Sequence, residues 1–527
     1  MLESAVSEFL DQLGTEREFD VPFLAMLRSQ GFYDIQFTHG RYEFGKDFIA
    51  KREDEGETVQ YLFQSKLGDV GTTVWRQELQ PQCEEMLTVT IGHPNIDVNL
   101  SKQAVAVFTG RFKGQAAVTA QGYRDSLARR NLPDLSFWSR ENLLEYLTAE
   151  TCLGGYSDWA TLGNLLSRCS SGETGLSELE VFSREWLGDG SNNIWLSTLE
   201  YSLMRDHLIR RQLYLHAIRL FYGLVRAVVA QQEHGLDSGD TELMFALLKQ
   251  ELSHLARPVV QWWTGVSPEM RKYAVCDLSC LEVVTAGSRL LYMAEVLALS
   301  TLCNGLWTAD ERAVIGEFLN YLLGLPTVSR PISDDFAPTV LVVALASHEL
   351  GITGIEPWLE AVVDWIRTAY DDDGLGLSAV RASATDLMWR SIGASVEYHG
   401  IEKSSHSVLA AAILDSCSLL GFRSLYDAAV REFDAADVVP LRMVPVRSPE
   451  ELQVGIAEGC VSSSFSDYSK TWRGEDGWMN ARLHSEYAPR RFDELGHHWV
   501  GCALSLLLRD RWWLHSMRAY GVVSEAS

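Results

Sequence analysis

The hydrophobic spacing of this chain changes near residue 150, and that change constrains the fold more than any other feature. Before it, short runs alternate apolar and polar residues and are punctuated by turn residues. After it, long stretches repeat apolar residues every three or four positions, with few strand signals. In the first part a helix over Phe19–Gln30 is expected to stop at Gly31. Strands are expected over Asp34–Thr38, Phe44–Lys51 and Thr58–Lys66, the last two separated by the acidic turn Glu53–Glu57. A helix over Thr73–Leu87, a strand over Gln103–Thr109, a helix over Gln115–Arg130, a strand over Leu135–Trp138 and a helix over Glu141–Leu147 complete an α/β order. The second part is expected to be helical over Leu196–Gln231, Glu242–Leu255, Leu281–Leu302, Glu311–Leu323, Pro357–Tyr370 and Trp499–Leu508. The expected organisation is therefore an α/β domain over 1–150 and a large, mostly α-helical region over 151–527. The helical region is expected to form two subdomains split near 326–338, where Pro326, Pro331 and Pro338 interrupt the pattern.

Composition narrows the function classes. At 527 residues, 46% hydrophobic and 22% charged, the chain can bury several cores. Its 45 Lys and Arg against 71 Asp and Glu give a net charge of −26, which excludes a protein that coats nucleic acid by bulk charge. Residues 101–140 are the exception, with a local charge of +5 that includes Arg111, Lys113 and Arg124, candidates for phosphate contact. No apolar run reaches the roughly 20 residues a membrane span needs. No secretory signal opens the chain, and the nine Cys form no disulfide or zinc pattern, so a cytoplasmic protein without membrane contact is expected.

The chemistry-bearing stretch is Gly40-Arg41-Tyr42-Glu43-Phe44-Gly45-Lys46-Asp47, followed by Gln64-Ser65-Lys66 at the end of the next strand. Strand alternation puts Gln64 and Lys66 on one face and Ser65 on the other, with Asp47 close by on the preceding strand. A carboxylate and an amide oxygen are hard donors suited to Mg²⁺, and a Lys beside them can orient or activate the attacking water and stabilise charge developing on a phosphate. Glu43, four residues before Asp47, is either a further acidic ligand or a rim charge. The spacing Gly40-x4-Gly45-Lys46 mimics a phosphate-binding P-loop, but Asp47 stands where such a loop needs Ser or Thr.

These residues resemble the PD-(D/E)xK nuclease superfamily, and within it the Mrr-type restriction endonucleases, which often carry Gln at the middle position. The match is Gly45-x-Asp47 and Gln64-x-Lys66. Around it, Phe19-Asp20 resembles the first helix, and Val105–Gly110 and Leu135–Trp138 resemble the later core strands, so about residues 18–148 are covered. The resemblance implies a restriction-endonuclease-like N-terminal domain acting as a metal-dependent endonuclease on DNA, in prokaryotic restriction or antiphage defence. It implies Asp47, Gln64 and Lys66 as catalytic residues and Mg²⁺ or Mn²⁺ held by Asp47 and Gln64, with Asp20 and Glu43 as further ligands. A homo-oligomer or a defence-system partner protein would accompany it. Asp20 departs from the Glu more usual at its position. On this assignment Asp47→Ala and Lys66→Ala abolish cleavage while leaving folding intact. The alternative is a non-catalytic protein that binds nucleic acid or a partner through a nuclease-like fold with a helical assembly scaffold; Gln64, by removing a carboxylate, points that way.

Overall fold

Glu55 and Gly56 take φ values of 53° and 88°, the left-handed pair that a two-residue hairpin turn requires. They join β2 (Phe48–Asp54) to β3 (Glu57–Lys66), with Asp54 opposite Glu57 and Phe48 opposite Phe63. The computed structural model describes residues 2–37, 47–89, 96–148, 159–171, 176–187, 194–211, 213–233, 238–265, 280–371, 374–379, 405–441, 472–475, 478 and 499–508. β2 continues beyond the expected Lys51 because its end is tied across the hairpin. Arg52 donates to Asp54 (2.6 Å) and to the Tyr61 hydroxyl (2.9 Å), which in turn donates to Asp54.

β1 (Tyr33–Phe37) pairs antiparallel with β2, whereas β4 (Ser101–Phe108) and β5 (Leu135–Trp138) extend the sheet parallel to β3, in the order β1-β2-β3-β4-β5. The N-terminal region is thus a mixed five-stranded α/β sheet, and most of the remaining described chain is helical. Alternation gives the sheet two apolar faces. On one, Ile49, Leu62, Ala104, Ala106 and Phe108 pack with Trp75, Leu79, Cys83, Met86, Ala120 and Leu127. These helical residues come from a single rod and from α5 (Ala116–Arg129). The rod starts as α3 (Thr72–Val74), passes through a π turn (Trp75–Leu79) and continues as α4 (Gln80–Thr88). On the other face, Phe23 of α2 (Glu16–Ser29) meets Phe48 and Phe63 edge-on at 5.2 and 5.4 Å, and Phe63 meets Trp138 at 5.4 Å. α1 (Leu2–Gln12) precedes these elements, and α6 (Arg140–Leu147), started by a Ser139–Asn142 capping box, comes after β5.

Contacts divide the chain into two compact units, Met1–Leu220 with Gln231–Leu243, and Phe221–Ala230 with Met244–Ser527. The sheet-bearing unit therefore reaches past residue 150. It includes α7 (Trp159–Ser171), α8 (Leu176–Arg184) and α9 (Ile194–Arg210), and α9 packs on α2, with the Arg28 guanidinium 5.1 Å from the Trp195 ring centre. The single helix expected over Leu196–Gln231 is two, since α9 closes at Leu213, whose N–H bonds Leu208 O, and α10 (Tyr214–Glu233) begins anew.

In the second unit, the helix Ala337–Glu349 is buried from Ala337 through Ser347 and packs between Cys280–Leu302 and Val408–Leu420. A helix apolar all round belongs in such a place. Asp334, just before it, accepts the N–H groups of Val408 and Leu409 (both 2.9 Å) and the Ser407 hydroxyl (2.8 Å), which caps the start of Val408–Leu420. The helices on either side of 326–338 are thus in direct contact. No described helix is long and apolar enough to cross a membrane.

Candidate functional site

The register that sets Phe48 opposite Phe63 brings Asp47 to Gln64, and the Asp47 N–H bonds Phe63 O at 2.8 Å. Asp47 is 7% exposed, and Gln64 and Ser65 are buried. A single carboxylate oxygen of Asp47, Oδ2, accepts three donors: Gln64 Nε2 at 2.8 Å, the Ser65 N–H at 2.7 Å and the Ser65 hydroxyl at 2.8 Å. Ser65, expected on the opposite face from Gln64, therefore serves the same carboxylate. Asp47 lies just before β2 begins, and its carboxylate takes donors from both residues. With Nε2 spent on Asp47, the Gln64 carbonyl oxygen is the donor atom its amide offers a cation.

Lys66 closes β3 and is 23% exposed on its side chain. Its ammonium lies 3.1 Å from Glu16 Oε1 and 2.9 Å from Glu78 Oε2. Burial alone would depress its pKa, but the bonds to Glu78 and Glu16 outweigh burial and hold it above the ordinary lysine value. Lys66 is thus a fixed cation and not a group ready to accept a proton. Neither glutamate stands out in the sequence. Glu16 reads as an ordinary acid in the first turn of a helix, and Glu78 reaches Lys66 from the π turn. Asp20, expected as the acid of the first helix, is buried one turn beyond Glu16 on α2; the α2 carboxylate that meets Lys66 is Glu16. Glu43 lies outside the described residues.

Past Lys66 the chain is pinned by a close backbone approach. A Cβ on Gly110 would fall 2.4 Å from the carbonyl carbon of Gly68, so only glycine fits. Here the Gly110 N–H bonds Gly68 O at 3.1 Å and the Gly68 N–H bonds the Thr109 hydroxyl at 2.8 Å. The two loops run side by side as far as Val70 and Phe112.

This ties Arg111 and Lys113 to the Lys66 end of the sheet. Arg124 is elsewhere. It bonds Asp134 through two contacts of 2.9 and 2.7 Å, and Asp134 O accepts from Ala104, four residues before the Phe108 that pairs with Lys66, about 13 Å along the strand. The structure therefore joins Asp47 to Gln64, two residues before Lys66 on β3, sets Arg111 and Lys113 at the same end and leaves Arg124 toward the other. Nor is the positive window of residues 101–140 bare. Glu141 pairs with Arg111 (2.5 Å), Asp69 with Lys113 (3.3 Å), Glu84 with Arg130 and Asp11 with Arg140 (2.6 Å). All four acids lie outside the window, where a count along the sequence does not see them.

Among the described residues, no group of three or more His, Cys, Asp and Glu side chains is gathered to hold a metal. Mg²⁺ asks for less, since it keeps several waters and takes one or two carboxylates. The Asp47 carboxylate and the Gln64 carbonyl oxygen fit it in kind. No family model matches the chain, and neither the curated proteins nor the solved structures give a match.

Proposed function

We propose that the N-terminal domain has a restriction-endonuclease-like fold of the PD-(D/E)xK type and is a metal-dependent nuclease cutting phosphodiester bonds of DNA, in a setting of prokaryotic restriction or antiphage defence. The observation that carries this is the meeting of Asp47 with Gln64 across β2 and β3, two residues before the Lys66 cation at the end of β3. Asp47 and Gln64 would hold Mg²⁺ or Mn²⁺, which supplies Lewis-acid activation of the phosphodiester. The three donors on Asp47 Oδ2 fix the carboxylate's orientation. Lys66, kept charged, stabilises negative charge growing on the phosphoryl oxygens and is unsuited to take a proton from the attacking water.

Incubation of the protein with supercoiled plasmid, linear duplex, single-stranded DNA and RNA, in Mg²⁺, Mn²⁺ or EDTA, tests this beside Lys66→Ala. Metal-dependent cutting that disappears in the variant is expected; cutting equal in both would end the assignment.

A binding protein that does not cut is the second reading. Gln64 in place of a carboxylate favours it, as does the pairing of Arg111 and Lys113 with acids of the same chain. Metal titration separates the two. A divalent cation held through Asp47 argues for cleavage, and nucleic-acid binding indifferent to metal argues for the second.

A further inference from the structure

Among the described residues, Lys66 is the cation that closes β3 beside Asp47, and two carboxylates from distant parts of the chain converge on it. Glu16 arrives from the first turn of α2, on one face of the sheet, and Glu78 from the rod on the other. The reach of Glu78 depends on the π turn. One residue more per turn shifts the angular phase of the later helix positions by about 100°. Trp75 and Leu79 at its ends both stay fully buried while Glu78, between them, turns out to Lys66. Counted among themselves, Asp47, Glu16, Glu78 and Lys66 carry a net charge of −2, an arrangement that repels a phosphate as long as both glutamates stay in place.

We propose that Glu16 and Glu78 are positioning residues that sequester the Lys66 ammonium, so that a phosphate of an incoming nucleic-acid strand reaches this cation only by displacing one of them. The inference rests on the assignment of this end of the sheet as the nucleic-acid site. Displacement is cheap enough to occur. Glu16 and Glu78 are 44% and 51% exposed, and ion pairs of that exposure contribute little. A side-chain rotation releases Glu78 without unwinding the rod. The same carboxylates that hold Lys66 charged thus compete with the substrate for it.

Two measurements on the full chain test this, with Glu16→Gln, Glu78→Gln and the double variant, all near-isosteric changes. The first is the rate at which an amine-acylating reagent modifies Lys66 at one fixed alkaline pH, read by peptide mass spectrometry with exposed Lys113 as internal reference. Lys66 should react slowly in the native chain and severalfold faster in the double variant. The second is the affinity for a labelled DNA duplex in EDTA. Glu78→Gln should bind about two- to fivefold more tightly at low salt, with the gain shrinking as salt rises. Equal Lys66 reactivity in all four proteins, or unchanged or weaker binding by Glu78→Gln, would overturn the clamp. If Lys66 still governs cutting in that case, the nuclease assignment survives without it. If Lys66 reactivity rises but no variant binds nucleic acid, the assignment of the site fails and the displacement fails with it.

Discussion

Replacing Asp47 by alanine removes the acceptor for three donors, Gln64 Nε2, the Ser65 N–H and the Ser65 hydroxyl, all within 2.8 Å of Oδ2 in a buried setting. The hydroxyl can rotate, and the Gln64 amide has a second acceptor in Ser65 O at 3.2 Å. The Ser65 backbone N–H has neither recourse. An unsatisfied buried donor costs about 1–3 kcal/mol and the loss of a hydrogen bond to a charged group about 1.5–3, so Asp47→Ala should destabilise this unit by roughly 3–4 kcal/mol. For a unit of this size that lowers the melting temperature by roughly 10 °C. Asp47→Asn keeps an oxygen where Oδ2 stands and loses chiefly the charge, for about 1–1.5 kcal/mol, and Ser65→Ala, which removes one hydrogen bond to the carboxylate, costs about 1.5–3 kcal/mol. Thermal unfolding followed by circular dichroism should rank native, Asp47→Asn and Asp47→Ala in that order. A native-like melting temperature for Asp47→Ala, or equal losses in the two variants, would refute the three-donor geometry. The same geometry predicts that Asp47→Ala costs stability as well as chemistry, because the carboxylate also holds Ser65 near the end of β3. Loss of cutting is diagnostic of chemistry in Asp47→Asn, and in Lys66→Ala, whose exposed ion pairs contribute little to stability.

The geometry sets three further outcomes. Gly110→Ala would drive a Cβ to 2.4 Å from the backbone of Gly68, and overpacking against backbone costs about 1–3 kcal/mol; a urea midpoint equal to the native one would contradict the contact. Burial pushes the Asp334 carboxyl up to about 6 from 3.8, against the opposing pull of the Leu409 and Val408 N–H groups and the Ser407 hydroxyl. The folded state then binds this proton more tightly than the unfolded one, so the contribution is full below about pH 4 and is lost as pH rises through 6. The melting temperature of Asp334→Asn should fall less than that of the native chain across this window, and parallel pH profiles would show that Asp334 does not titrate there. Arg111→Ala and Lys113→Ala should each weaken duplex binding and lower its salt slope by about one, whereas Arg124→Ala, held by Asp134 away from Lys66, should leave both unchanged; the reverse order would move the nucleic-acid surface to α5.

Local features of this chain were legible because their causes are local. Glu55-Gly56 between alternating runs can hardly be anything but a hairpin turn, and the hairpin in turn sets Asp47 beside Gln64 without reference to the rest of the fold. What stayed hidden is what the chain brings from afar. Glu16 and Glu78 are ordinary helix acids until α2 and the rod are laid on opposite faces of the sheet. The positive charge of residues 101–140 is balanced by Asp11, Asp69, Glu84 and Glu141, each supplied by another element. The boundary near 150 marks where the strand pattern ends, but periodicity says nothing about which sheet layer a later helix covers, and α9 lies on α2. Alternation fixes the face of Ser65 but does not foresee that both its N–H and its hydroxyl reach Asp47.

Lys66 is where three separate constraints meet, and this gives its position meaning beyond one ion pair. The parallel pairing of β3 with β4 ends there, with Lys66 beside Phe108. The Gly68–Gly110 contact then prevents the adjoining loop from drifting, and the π turn brings Glu78 within 2.9 Å. A solvated lysine on a sheet face needs none of these. A cation that must meet a phosphate at one place needs its strand end fixed, its loop immobile and its charge secured, while Asp47 beside it is fixed by three donors of its own. Release of Lys66 from Glu78 would leave the other constraints standing. A phosphate arriving in place of Glu78 would find the ammonium already at the end of β3, with little ordering left to do.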